Sequence, residues 1–442
     1  MRQPAMHLPL AAPPTPAPPS PRPVPRTTGP ARAAALGLAL TAVVAVATGA
    51  TAAQAAPAQP APPYAVGLDG AGECTFPMKQ QIADRPWALQ RLLLDELWAQ
   101  TKGKDKKGRS VRVAVIDTGV DRANPQLGPA LDVGAGKDLV DPKGGDGTAD
   151  TVGHGTKVAG LIAARPQEGT GFVGLAPDST IIPIRQNDGQ GKGNALSLSQ
   201  AIDHAVAKGA QVINISQDTD AQLTADSELA KSVSKAVAAD VVVVASAGND
   251  GTSGRKRRTY PAAFPGVLAV GASDRNNERA EFSQPGDFIG VAAPGVDMVS
   301  TVPGFGQCID NGTSFSAPYV AGVAALLRAE HEDWTAQQIV WQIQNTAERS
   351  VKGRDDYVGW GVVDPVRALG QDQQPPTAPV PDPGPPPAAA PQAAPLHLTE
   401  TAQERAERLG TYALGIGAVL IAVIACTATV VKEARNRRRR LQ

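Results

Sequence analysis

The sequence predicts an α/β fold with a mostly parallel central sheet covered by helices on both faces. One observation is a set of short, predominantly apolar runs at residues 111–116, 181–184, 212–215, 241–245 and 267–270. Runs that are largely apolar, rather than alternating, belong to strands buried on both sides. A second is the helical patterning at residues 196–208 and 227–239, which separates some of these strands; strands alternating with helices build parallel sheets. A third is the placement of Asp117 and Asn249 just past two of the runs, where side chains of such a sheet gather to do chemistry.

Taken in order, the 442-residue chain opens on a Pro-rich, Arg-dotted stretch. An apolar run of 15 residues at 33–47 follows, then Ala53-Gln54-Ala55. A positive flank, a short apolar core and an A-x-A site make a secretory signal peptide, with cleavage expected after Ala55. An N-terminal extension is expected at 56–86. Leu89, Leu93, Leu94 and Leu97 have helical spacing. The folded domain is expected to span 87–370. Residues 371–395 contain ten prolines in 25 positions, a spacer that cannot pack a core, and the linker is placed at 371–410. Residues 411–431 are apolar and uncharged over 21 positions, followed by Lys432, Arg435 and Arg437–Arg440. That length spans a bilayer, and the basic tail at 432–442 is expected on the cytoplasmic side.

Formal net charge is zero, which argues against a nucleic-acid binder. Three cysteines are too few for a disulfide scaffold or a Cys-rich metal site. Cys426 lies in the membrane-spanning run, so Cys74 and Cys308 are the only pair on the oxidising side and are expected to form a disulfide. Asp138, Asp141 and Asp146 are irregularly spaced in a Gly-rich loop, and no metal site is expected. Residues 134–147 are a candidate cover for a site at His154.

Four motifs carry chemistry. They are V-I-D-T-G at 115–119, G-H-G-T at 153–156, S-A-G-N at 246–249 and N-G-T-S at 311–314. A serine hydroxyl needs a base in reach to become a nucleophile, and a neutral imidazole is that base near pH 7. Ser314, His154 and Asp117 supply nucleophile, base and orienting carboxylate. Gly312 and Thr313 read as a turn opening a helix over the apolar stretch 320–327, with Pro318 in its first turn. Backbone N–H groups at that helix start, together with the Asn249 side-chain amide, suit a developing oxyanion. His204 and His331 lack flanking glycines and are expected to be structural.

The order Asp, His, Ser and these motifs resemble the subtilisin-like serine peptidases. The resemblance covers residues 87–370 and implies a subtilisin-like three-layer fold that needs no cofactor. With a short N-terminal extension and a C-terminal membrane helix, the layout is most similar to mycosins, membrane-anchored subtilases of type VII secretion systems. It implies an extension that wraps the catalytic domain, and a substrate held as an added strand by Ser216, Ser246, Ala247 and Gly248, with Thr259 at the floor of the first specificity pocket. Gln217-Asp218 stands where many relatives have Leu-Gly, Thr259 where Gly is common, and Lys157 where His is common. The basic run 255–258 reads as a solvated loop.

The sequence therefore points to a membrane-anchored extracellular serine endopeptidase, partnered by peptide substrates, the membrane and a type VII secretion complex. A general cell-surface protease and a scaffold stabilising a membrane secretion complex are the alternatives.

Overall fold

A computed structural model describes residues 65–67, 74, 76–78, 81–371, 375, 377–381 and 400–441. The expected signal peptide and most of the Pro-rich linker lie outside the described residues. The strands are β1 (Ala65–Gly67), β2 (Arg112–Asp117), β3 (Lys137–Asp138), β4 (Thr180–Arg185), β5 (Lys192–Asn194), β6 (Val212–Ile215), β7 (Val242–Ser246), β8 (Val267–Ser273), β9 (Val291–Pro294), β10 (Met298–Thr301) and β11 (Gln307–Asp310). The α-helices are α1 (Trp87–Gln90), α2 (Leu94–Leu97), α3 (His154–Ala163), α4 (Ala195–Ala207), α5 (Glu228–Ala238), α6 (Thr313–Glu330), α7 (Ala336–Thr346), α8 (Pro365–Gly370) and α9 (Ala402–Arg439).

Among the described residues the main sheet has seven strands in the order β3-β4-β2-β6-β7-β8-β9. Every pairing in it is parallel. Successive strand residues send side chains to opposite faces, and the core divides accordingly. Val113, Val115, Val212, Val242, Val244 and Val270 join the α3, α6 and α7 layer. Ala114, Ile116, Ile213, Ile215, Val243 and Ala245 join the α4 and α5 layer. This is the three-layer architecture expected, and it explains why the strand runs do not alternate between apolar and polar residues.

Local signals set the helix starts. Ser227 caps α5 by accepting from the Ala230 N–H at 3.2 Å, and Asn194 caps α4 from the Ser197 N–H at 2.8 Å. The Leu-rich segment departs from a continuous helix. Leu93 leaves helical geometry (φ −78°, ψ 77°) and separates two single turns, α1 and α2. The break lets Leu92 and Leu94 both be buried, with Leu93 exposed; in a straight helix those two would lie about 200° apart. The Gly-rich stretch 134–147 is not wholly irregular. Residues 137–138 form the edge strand of the sheet beside β4, and Arg185 Nη1 meets Asp138 Oδ2 at 3.0 Å.

The described residues of the N-terminal extension pair with the domain at several points. β1 pairs antiparallel with β5, and the Met78 N–H donates to the Phe305 carbonyl at 2.9 Å. Ile82 N–H donates to Gln307 Oε1 at 2.9 Å. At the other end, α9 runs 38 residues and none of them is buried. It begins inside the segment read as linker, because Thr401 and Glu404 form a capping box there. At 1.5 Å per residue it is about 57 Å long, and the hydrocarbon core of a bilayer needs only about 30 Å. It is long and apolar enough to cross a membrane.

Candidate active site

Asp117 ends β2, and His154 opens α3 on the neighbouring layer. His154 Nδ1 stands 2.7 Å from Asp117 Oδ1, with both side chains buried. The Thr118 N–H donates to the same oxygen at 2.8 Å. The approach of strand and helix requires glycine. A Cβ on Gly155 would lie 2.1 Å from the Gly119 carbonyl oxygen, and Gly153 has φ +83°. His154 Nε2 is buried and makes no hydrogen bond.

Asp150 is a residue that sequence reasoning missed. Its Oδ1 accepts from Thr118 Oγ1 at 2.9 Å and from the Gly153 N–H at 2.7 Å. Its Oδ2 accepts from the Thr156 N–H at 2.9 Å and Thr156 Oγ1 at 2.5 Å. It thus satisfies free amides at the start of α3 and ties that start to the residue after Asp117. Burial pushes its carboxyl above the usual range, against the pull of these hydrogen bonds. An Asp four positions before the His was the available signal.

Ser314 sits at the second residue of α6, whose N-cap Gly312 has φ +147° and ψ 155°; that region is open essentially only to glycine. Pro318 is the sixth residue of α6, just past its first turn. A proline there withholds the N–H that would bond the carbonyl four residues back, which is Ser314's. Ser216 compensates: its Oγ donates to the Ser314 carbonyl at 2.8 Å, and Asn214 Nδ2 donates to Ser216 Oγ at 2.9 Å. The Ser216 side chain is buried against the nucleophile's own backbone. The Ser314 Oγ donates to the Ser216 carbonyl at 3.2 Å rather than to the imidazole; such catalytic hydrogen bonds commonly tighten only with substrate present. Ser216→Ala should leave the Ser314 carbonyl buried without a donor, costing about 1–3 kcal/mol of stability, measured as a lowered thermal midpoint.

Asn249 is oriented from the same helix start. Its Oδ1 accepts from the Thr313 N–H at 2.9 Å and from Thr313 Oγ1 at 3.0 Å. Its Nδ2 lies 3.5 Å from the point a Cβ on Gly312 would occupy, next to the nucleophile. Ser246 ends β7, and the Ala247 N–H donates to Val270 at 2.9 Å. Gly248 has φ +98°, and a Cβ there would meet Asp218 Oδ2 at 2.8 Å and Thr259 Cγ2 at 3.2 Å. Thr259 Oγ1 donates to the Ala247 carbonyl at 2.7 Å. The structure therefore brings Ser216, Gly248, Asn249 and Thr259 together around Ser314.

His204 Nε2 instead meets the Ala135 carbonyl at 2.9 Å, and His331 stacks on Trp334 at 3.6 Å. In the basic run, Arg257 reaches Asp220 and Asp250, Arg258 reaches Asp287, and Lys256 reaches Asp356. Among the described residues no cluster of His, Cys, Asp and Glu could hold a metal ion.

Cys74 and Cys308 are bonded to each other, with 6.2 Å between their Cα atoms. This joins the N-terminal extension to β11, four positions before the nucleophile motif's Gly312. Titration under denaturing conditions should find one reactive thiol, Cys426, and three after reduction. Cys308→Ser should cost about 2–5 kcal/mol of stability, read from the thermal midpoint.

A model described as the subtilase family matches residues 108–361. Subtilisin E of Bacillus subtilis is 38% identical over 265 residues, 60% of this chain and 66% of that protein's length. Mycosin-1 of Mycolicibacterium smegmatis is 37% identical over 338 residues, covering 65% of this chain and 73% of the relative. Among solved structures, MycP1 with the N-terminal propeptide removed aligns with a TM-score of 0.59 at 35% identity, over 66% of this chain and all of that one. The MycP3 protease from the type VII (ESX-3) secretion system aligns with a TM-score of 0.59 at 32% identity, over 70% of this chain and 93% of that one.

Proposed function

The chain belongs to the subtilase family, and we propose that it is a membrane-anchored serine endopeptidase working with a type VII secretion apparatus. The observation that carries the peptidase reading is the buried 2.7 Å contact between His154 and Asp117 beside a serine held at a helix N-terminus. In this reading Ser314 Oγ attacks a peptide carbonyl, and His154 Nε2 takes its proton. Asp117 holds the Nδ1–H and stabilises the imidazolium. The Asn249 amide and the backbone N–H groups opening α6 bind the oxyanion. His154 returns the proton to the leaving amine, and water then hydrolyses the acyl-enzyme.

The secretion role draws on the likeness to mycosin-1 and MycP3. The anchor draws on α9 and its terminal run Arg437–Arg440, which under the positive-inside rule faces the cytoplasm and leaves the peptidase outside. The test is fluorophosphonate labelling of the full-length protein in detergent, with the modified peptide mapped by mass. A single adduct on Ser314 is expected; a folded protein that takes no label would overturn the peptidase reading and leave the scaffold alternative.

A further inference from the structure

We infer that Lys157 and Asp310 form a buried ion pair that positions the base relative to the nucleophile; this rests on the peptidase reading. Lys157 lies on α3, three residues after His154, and Asp310 is the last residue of β11. Both side chains are buried, 3% and 4% exposed, and Nζ meets Oδ2 at 2.7 Å. Each end of the pair is fixed further. The Asn311 N–H donates to Asp310 Oδ1 at 2.9 Å, and Asn311 Oδ1 accepts from the Asp297 N–H at 2.7 Å. Ser300 Oγ donates to the Lys157 carbonyl at 2.5 Å.

These contacts close a ring around the site. From His154 the path runs along one turn of α3 to Lys157, across the ion pair to Asp310, and through Asn311 and Gly312 to Ser314. It returns through Phe315, whose ring lies 5.9 Å from Lys157 Nζ and 5.5 Å from the His154 ring. No hydrogen bond between Ser314 Oγ and the imidazole holds the two together here, so their separation depends on how α3 and the start of α6 are braced. A buried ion pair is weak evidence of stabilisation, since apolar residues of similar volume often replace one without loss. Its directional geometry is what such residues cannot supply.

That contrast gives the test. Full-length wild type, Lys157→Met, Asp310→Leu and the double variant are compared in detergent for thermal midpoint and for fluorophosphonate labelling, with the maximal rate separated from probe binding. Each single variant removes the buried counter-charge of its partner and should melt well below wild type. The double variant should recover the midpoint, yet label about tenfold or more slowly at saturation with probe binding little changed, since misplacements on the order of 1 Å cost up to about 100-fold. Recovery of both midpoint and maximal rate would overturn the inference and make the pair structural only. Should the double variant not fold, Lys157→Arg decides. It keeps the cation and should label several-fold faster than Lys157→Met; equal rates would overturn the inference. A wild type that labels nowhere would overturn the peptidase reading and the inference together, whereas a labelled wild type with unaffected variants overturns the inference alone.

Discussion

Ser314→Ala should lower kcat on a peptide substrate by about 10⁶-fold, the scale on which nucleophile loss acts in a triad, while the thermal midpoint stays near that of wild type. The Ser314 hydroxyl donates to the Ser216 carbonyl at 3.2 Å, and its removal leaves the stronger link, from Ser216 Oγ to the Ser314 carbonyl, in place. Residual turnover of roughly 10³–10⁴ over water should survive through the oxyanion donors. Steady-state kinetics on the two purified proteins measure it. The same variant separates the alternative roles in cells. Secretion lost with Ser314→Ala would tie the apparatus to proteolysis, and secretion retained would favour a scaffold.

Asp117→Asn should cost about 10⁴-fold in kcat with KM little altered. The His154 ring would become an imidazolium next to a neutral amide, in a site too buried for water to stabilise the charge. Because the Thr118 N–H pins one oxygen at that position, the substitution keeps its shape and the protein should fold. A loss below about tenfold would mean that the carboxylate is not working through the imidazole.

The sheet was legible because its central strands are buried on both faces, so most of them read as largely apolar runs rather than alternating ones. Elements with weaker patterns were not. β3 is two residues at an edge, and the Gly-rich segment around it resembles a loop. The Leu-rich stretch before the sheet satisfies a helical spacing, but tertiary burial of both Leu92 and Leu94 outweighs the one extra turn a continuous helix would form. At the candidate site, Gly119 and Gly155 mark places where backbone meets backbone, whereas Gly153, Gly248 and Gly312 hold positive φ beside side chains. What the motifs could not disclose were relations between distant segments. Ser216 completing the carbonyl that Pro318 leaves open, Asp150 joining Thr118 to Thr156, and Lys157 meeting Asp310 depend on residues brought together only by the fold.

The Cys74–Cys308 bond spans 234 positions of sequence, and the exposed basic run 255–258 lies between its ends. A cut in that run would therefore not release either piece. Electrophoresis without reductant would show one band of full mass, and with reductant two fragments, the larger N-terminal one carrying Asp117, His154 and Asn249 and the smaller carrying Ser314. A nicked molecule would keep both halves of its triad on one covalent body, so damage at the surface need not end its working life.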